Sequence, residues 1–138
     1  MLSSYSLRLP KVVFAGEHAT EKITGIVGEL GATQAALFTD AGLRKIGVID
    51  GARAALEQAG CKVSIIDDIP AEPTYAAVQH AVDELKRLGA DVIVGVGGGS
   101  VMDTAKLASV AATDAYSVHD LLADPSQASK QVPTIMVP

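Results

Sequence analysis

A buried apolar run passes directly into a glycine-rich turn and then into a helical pattern near residue 100. The run Val92-Ile93-Val94-Gly95-Val96 is followed by Gly97, Gly98 and Gly99, and Ser100 then stands at the start of the helix. An uninterrupted apolar run is typical of a parallel strand that is covered on both faces. A strand, a tight turn and a helix in this order predict a β-α-β unit within a parallel sheet.

The rest of the chain repeats this alternation of short apolar runs and helical patterns. We predict strands at Lys11–Phe14, Ala35–Thr39, Lys62–Ile66, Asp91–Val96 and Thr134–Val137. Predicted helices cover Thr20–Leu30, Val48–Ala59, the stretch from a Thr74 cap to Leu88, Ser100–Ala112 and Val118–Leu122, and a polar loop covers Asp124–Gln131. Glycines at positions 31, 60 and 89 are expected to end the first three helices. Residues 1–138 are therefore expected to form one α/β domain, a Rossmann-like open parallel sheet with helices on both faces.

Composition excludes several classes of partner. The 138 residues carry 11 Lys+Arg and 16 Asp+Glu, a net charge of −5, without a basic cluster, so nucleic acid is not expected to bind. No apolar run approaches the roughly 20 residues that span a bilayer, and no secretory signal is visible at the start. The lone Cys61 fits a reducing compartment and is expected to pack as a small apolar residue. We therefore expect a cytoplasmic protein that has no membrane partner.

The glycine turn indicates a phosphate-binding site. Glycines let the backbone approach a ligand closely, and the free amides at a helix start can donate to an anion. Ser100 can either cap the helix or donate its hydroxyl to a phosphate oxygen. The pattern Gly95-x-Gly97-x-x-Ser100 lacks the third glycine of the dinucleotide fingerprint, and it is not a Walker A motif. The alternative is a tight turn that only packs the helix closely against the sheet.

Asp40 is the candidate for recognising a ribose. It stands at the carboxyl end of the predicted strand Ala35–Thr39, where a carboxylate can accept hydrogen bonds from an adenosine ribose. The same charge would repel a 2′-phosphate, which favours NAD over NADP. One alternative is that Asp40 merely begins a turn. Another is that Asp120, about 20 residues after the glycines, has this role, but Asp120 does not end a predicted strand.

The ten residues from Gly97 to Lys106 resemble the Gly-Gly-Gly-Ser-x-x-Asp-x-Ala-Lys motif of the iron-containing (group III) alcohol dehydrogenases. Further segments resemble that family in order and spacing: Phe14-Ala15-Gly16, Phe38-Thr39-Asp40-Ala41-Gly42-Leu43, Glu72-Pro73-Thr74 and Pro133-Thr134-Ile135-Met136-Val137-Pro138. The resemblance implies the family's amino-terminal cofactor domain. In it, the turn Gly97-Gly98-Gly99-Ser100 would hold the NAD(P) pyrophosphate and Asp40 would select NAD.

Two further residues of the motif are candidates for the site. The resemblance implies that Asp103 lies toward the nicotinamide end, where it is a candidate catalytic residue that orients cofactor or substrate. An ordinary surface aspartate is the alternative. Lys106 is six residues after Ser100, on a different face of the helix. It is expected either to add positive potential to the cofactor site or to be solvated.

The resemblance also implies a feature that this chain does not match. In the family, an Asp and three His residues on an all-helical second domain bind a divalent metal, iron or zinc. His18, His80 and His119 show no paired spacing, so we expect no metal ligands in this chain. The pair Asp67-Asp68 is interpreted as a strand end and a turn.

The reaction implied by the resemblance is hydride transfer between a small alcohol or aldehyde and NAD, in a homo-oligomer. The chain stops at the carboxyl end of its last predicted strand, the edge at which open α/β sheets bind ligands. We therefore expect it to be the front part of a longer enzyme or a deliberate excision. The alternative function is a stand-alone nucleotide- or phosphate-binding module without catalysis.

Overall fold

A four-stranded parallel sheet forms the centre of the computed structural model, which describes residues 10–138. Its strands are β1 (Gln34–Phe38), β2 (Lys62–Ile66), β3 (Val92–Val96) and β4 (Thr134–Val137). Their order across the sheet is β2-β1-β3-β4, with β1 paired to both β2 and β3. The chain thus leaves β1 to one side and returns to β3 on the other. The predicted open parallel sheet is confirmed.

Helices connect the strands on both faces. They are α1 (Lys22–Leu30), α2 (Ala41–Lys45), α3 (Asp50–Gln58), α4 (Tyr75–Leu88), α5 (Gly99–Ala111) and α6 (Val118–Ala123), with 3-10 turns at Ala19–Glu21 and Pro125–Gln127. As predicted, Thr74 caps α4, and Gly31 and Gly89 follow α1 and α4 with φ of +65° and +62°. Across residues 10–138, no helix combines the length and apolar character that crossing a membrane requires.

Alternate residues of β1 and β3 face two separate cores. Phe38 and Ile93 belong to the core beneath α4, α5 and α6. Leu37, Val92 and Val94 belong to the core beneath α1 and α3. These strand residues are completely buried. An apolar run with no polar alternation is therefore what this sheet requires, because both of its faces are covered.

The amino ends of β1 and β3 are joined by one carboxylate. Asp91 Oδ2 accepts a hydrogen bond from the Thr33 amide at 2.9 Å, and Asp91 Oδ1 accepts one from the Gln34 amide at 2.9 Å. Nearby, Cys61 packs at the start of β2 as predicted, and its Sγ donates to the Ala32 carbonyl oxygen at 3.2 Å. Burial, followed by the charge of Asp91, raises the pKa of the Cys61 thiol.

The prediction of a strand at Lys11–Phe14 is wrong. Residues 11–14 form no strand, and the side chains of Val12, Val13 and Phe14 are 57%, 73% and 48% exposed. Aromatic and β-branched residues favour strands where a neighbouring strand and a buried face receive them. No strand among the described residues pairs with this segment, so its composition alone does not make it a strand.

The two phenylalanines of the chain test this correction. Phe38→Ala removes a fully buried ring and is expected to lower the free energy of unfolding by about 3–5 kcal/mol. Phe14→Ala removes a half-exposed ring and is expected to cost less than about 1 kcal/mol. Urea denaturation of both variants measures the difference. Equal losses would show that the Phe14 ring is packed as closely as that of Phe38, contrary to its exposure.

Candidate functional site

The carboxyl ends of β1 and β3 border a cleft of about 380 Å³. Because the chain turns away from β1 in one direction and away from β3 in the other, the loops that follow these two strands diverge. A crevice at such a switch point is where open α/β sheets bind ligands. Three segments line the cleft: Asp40-Ala41-Gly42 after β1, Ile69-Pro70-Ala71 after β2, and Gly98-Gly99-Ser100-Val101 after β3.

The three glycines of the turn differ in what requires them. Gly97 has a φ of +152°, and a Cβ added to it would lie 2.9 Å from Val101 Cγ2 and 3.2 Å from Leu43 Cδ1. Its own surroundings therefore require glycine. At Gly98 and Gly99 an added Cβ would have no neighbour within 4 Å, and neither residue has a positive φ. Nothing in the described chain requires glycine at these two positions, which line the cleft.

Helix α5 begins without a side-chain cap. Asp40, Thr74 and Ser117 cap α2, α4 and α6, whereas α1, α3 and α5 have no side-chain cap, and of these α5, whose N-cap residue is Gly98, begins at the cleft. The amides of a first helical turn have no acceptor within the helix, and the positive end of the helix dipole adds to their attraction for an anion. The residues that carry these amides form one wall of the cleft. An anionic ligand can therefore supply the acceptor that the sequence omits.

The Ser100 hydroxyl is used in a way that the sequence did not predict. It donates a hydrogen bond to the carbonyl oxygen of Ala71, so it does not cap α5. This bond ties the loop after β2 to the first turn of α5, across the cleft. Donation to a phosphate oxygen would compete with it.

Asp40 combines the two interpretations that the sequence left open. Its Oδ1 accepts a hydrogen bond from the Leu43 amide at 2.9 Å, so the residue does begin a turn, the short helix α2. The same half-buried residue lines the cleft opposite Gly98 and Gly99. Within residues 10–138, no group donates to Oδ2, which leaves this oxygen available to a ligand.

The remaining carboxylate and lysine candidates stand apart from the cleft. Asp103 and Lys106 are exposed on α5 and are not among the residues that line the cleft. Asp120, the alternative to Asp40, belongs to the cap of α6, where its Oδ2 accepts from the Ser117 amide at 2.8 Å. Hydrogen bonds from that amide and from the Ser117 hydroxyl lower the pKa of Asp120.

The three histidines are dispersed. His18 Nδ1 lies 3.4 Å from a Glu21 oxygen, His80 Nε2 lies 3.0 Å from Asp68 Oδ2, and the ring of His119 meets Tyr75 edge-on at 5.9 Å. Among residues 10–138, no three His, Cys, Asp or Glu side chains are grouped so that they could hold a metal ion. The described residues therefore do not fit a metal centre.

Sequence reasoning missed the third wall of the cleft and the helix α2. The segment Ile69-Pro70-Ala71 follows β2, and the carboxyl end of β2 lies on the same edge of the sheet as those of β1 and β3. Its position after a predicted parallel strand was therefore the feature from which its place in the cleft could have been predicted. For α2, the sequence offered only the alternative that Asp40 begins a turn, and no helix was predicted. The Asp40 cap stabilises its five residues nonetheless.

The sequence model of the iron-containing alcohol dehydrogenases matches residues 10–138. The chain belongs to the iron-containing alcohol dehydrogenase family. The resemblance predicted from the glycine motif is thereby confirmed. The match includes the turn after β3 and the segment after β1, which both line the cleft.

Three similar proteins illustrate the relationship. The chain is 36% identical over 133 residues to a sulfoacetaldehyde reductase of Bilophila wadsworthia, covering 93% of the chain and 33% of that protein. It is 27% identical over 129 residues to an NAD-dependent methanol dehydrogenase of Bacillus methanolicus, covering 94% of the chain and 34% of that protein. A crystal structure of an iron-containing alcohol dehydrogenase from Thermotoga maritima has a TM-score of 0.84 at 29% identity, covering 98% of the chain and 38% of its own. The chain thus spans about a third of the length of these family members.

The different requirements for glycine at positions 97 and 98 of the turn after β3 can be measured. Gly97→Ala places a methyl group against Val101 on a backbone that L residues rarely adopt. It is expected to lower the free energy of unfolding by more than about 2 kcal/mol. Gly98→Ala meets open space and is expected to cost less than about 1 kcal/mol. Thermal and urea unfolding of the two variants make the comparison, and equal stabilities would contradict the geometry of the turn.

Proposed function

We propose that this member of the iron-containing alcohol dehydrogenase family binds NAD across the carboxyl ends of β1 and β3. Its role is to hold the coenzyme while a hydride passes between an alcohol or aldehyde and the nicotinamide. The observation that carries the proposal is a pair of cleft glycines, Gly98 and Gly99, that the folded chain does not itself require. Two adjacent glycines that line a cleft at a helix start are suited to a ligand that approaches the backbone closely.

The pyrophosphate is assigned to the first turn of α5. A diphosphate placed against Gly98 and Gly99 would receive the uncapped amides as donors, and no side chain would stand between it and the backbone. The dipole of the thirteen-residue helix α5 adds a favourable contribution. The Bacillus methanolicus relative, to which the chain is 27% identical over 129 residues, is NAD-dependent by name, which supports the choice of ligand.

The adenosine ribose is assigned to Asp40. The carboxylate lies across the cleft from the glycines, and its Oδ2 is free to accept a ribose hydroxyl while Oδ1 remains bound to Leu43. A 2′-phosphate at the same place would bring two negative charges together. The site therefore favours NAD over NADP.

The chemistry belongs to the coenzyme, which accepts or delivers the hydride when it is bound. The chain orients it: the α5 amides hold the diphosphate, and Asp40 holds the ribose. Asp103 and Lys106 lie further along α5, and Asp103 remains a candidate for contacting the nicotinamide end or the substrate. Because residues 10–138 do not fit a metal centre, no step is assigned to a metal here.

The glycine hypothesis predicts a loss of binding without a loss of stability. Gly98→Ala inserts a methyl group into the space proposed for the diphosphate, and the dissociation constant for NAD is expected to rise at least about tenfold. The matched control is Gly25→Ala on the exposed side of α1, where an added Cβ also meets open space. This control is expected to bind NAD like the unaltered chain. Isothermal titration calorimetry with NAD measures both.

The same titration separates the proposal from a module for another phosphate ligand. NAD and ADP-ribose are expected to bind, whereas inorganic phosphate alone is expected to bind far more weakly. Binding of phosphate with no response to NAD at millimolar concentration would favour the non-catalytic module. Equal NAD affinities for Gly98→Ala and Gly25→Ala would place the coenzyme elsewhere.

Coenzyme preference is expected to depend on the charge of Asp40. Asp40→Asn keeps an oxygen that can cap α2 but removes the negative charge. The affinity for NADP relative to NAD is expected to rise about tenfold. Paired titrations with the two coenzymes measure the ratio, and Asp40→Gly is expected to shift it in the same direction. An unchanged ratio in both variants would show that Asp40 does not meet the ribose.

A further inference from the structure

A group of charged residues follows the carboxyl ends of β1 and β2, and the inference drawn from it rests on the proposed binding of NAD. Asp40 ends the β1 segment, and Asp67 and Asp68 follow β2. Asp40 and Asp68 form an isolated antiparallel bridge, which holds the two strand ends together. Asp67, next to Asp68 in the chain, lies within reach of the last turn of the five-residue helix α2.

The Asp67 carboxylate forms a salt bridge with a basic residue of α2. Arg44 Nη1 donates to Asp67 Oδ2 at 2.6 Å, and the two side chains are 48% and 31% exposed. Arg44 follows Asp40 by four residues, and its amide donates to the Asp40 carbonyl oxygen at 3.1 Å. Residues with this spacing share one face of a helix. Arg44 does not line the cleft itself, but it lies on the short helix whose first residues, Ala41 and Gly42, do.

The Arg44 guanidinium is expected to have different effects on a phosphate ligand when it is free and when it is bound to Asp67. A free guanidinium is well suited to bind a phosphate, because its planar donors match phosphate oxygens. Carried by the helix that Asp40 caps, a free Arg44 guanidinium would attract the 2′-phosphate that the Asp40 carboxylate repels. Bound to Asp67, its charge is compensated and one of its donors is already engaged.

We propose that Asp67 is a positioning residue for coenzyme choice, because it holds the Arg44 guanidinium away from a 2′-phosphate. Discrimination against NADP then has two parts. Asp40 repels the phosphate directly, and Asp67 withholds the cation that would compensate it. Asp67 touches neither coenzyme and acts through Arg44.

The test uses Asp67→Asn in the whole chain. Asparagine keeps the size of the side chain but loses the charge that binds Arg44. By calorimetry, the dissociation constant for NADP is expected to fall about fivefold, and that for NAD is expected to change less than about twofold. The gain for NADP is expected to shrink at high salt, because an exposed contact between guanidinium and phosphate is screened.

The matched control is Glu57→Gln on α3. Glu57 Oε1 accepts from Arg53 Nε at 2.9 Å, and both side chains are 51% exposed, so this variant also releases a surface arginine and removes one negative charge. None of the four residues of the two ion pairs lines the cleft itself, but α2, which carries Arg44, contributes Ala41 and Gly42 to the lining, whereas α3 contributes no residue. Its affinities for both coenzymes are expected to match those of the unaltered chain. An equal gain for NADP in this control would show that net charge alone is responsible, which would overturn the inference.

A double variant tests the route through Arg44. In Asp67→Asn/Arg44→Gln, the gain in NADP affinity is expected to disappear. A gain that persists would overturn the inference, because Asp67 would then act by its own charge. NAD binding with unchanged NADP affinity in Asp67→Asn would overturn the inference alone. Failure of the unaltered chain to bind either coenzyme would overturn the proposed function and this inference with it.

Discussion

The parallel pairing of β1 with β3 is the constraint on which the candidate site depends. Their register places Phe38 beside Gly95, so the segments that follow the two strands, Asp40 and the glycine turn, emerge side by side. Asp91 reinforces this alignment at the opposite end of the strands, where its carboxylate accepts hydrogen bonds from the amides of Thr33 and Gln34 at the start of β1. The cleft exists because two strands that are not consecutive in the chain are neighbours in the sheet.

The two cores make that pairing rigid. Each face of β1 and β3 is buried under a different set of helices, and the central strand residues are inaccessible to solvent. Loops at the strand ends can therefore differ in sequence and conformation while the strands that carry them stay fixed. This separation is typical of α/β proteins, in which a packed scaffold positions functional loops.

Much of this architecture could be predicted from the sequence because local patterns encode it. Continuous apolar runs gave the strands β1 to β4, and glycines marked the ends of α1 and α4 through their positive φ. The features that the sequence did not predict correctly depend on partners that lie far away in the chain. Val12 and Val13 have strand composition but no pairing strand in the described part of the chain, and Ser100 found its acceptor 29 residues earlier, at Ala71. The glycine motif indicated the site, but only the folded chain distinguishes Gly97, required by packing, from Gly98 and Gly99.

Leu43 connects the two halves of the cleft. Its amide is bound by Asp40, and its side chain occupies the space next to Gly97, where Cδ1 would be 3.2 Å from an added Cβ. Leu43 thus lies between the Asp40 carboxylate on one side of the cleft and the glycine turn on the other. The contact between the Leu43 side chain and the glycine turn therefore links the two sides of the cleft through the packing of the protein itself, independently of any ligand.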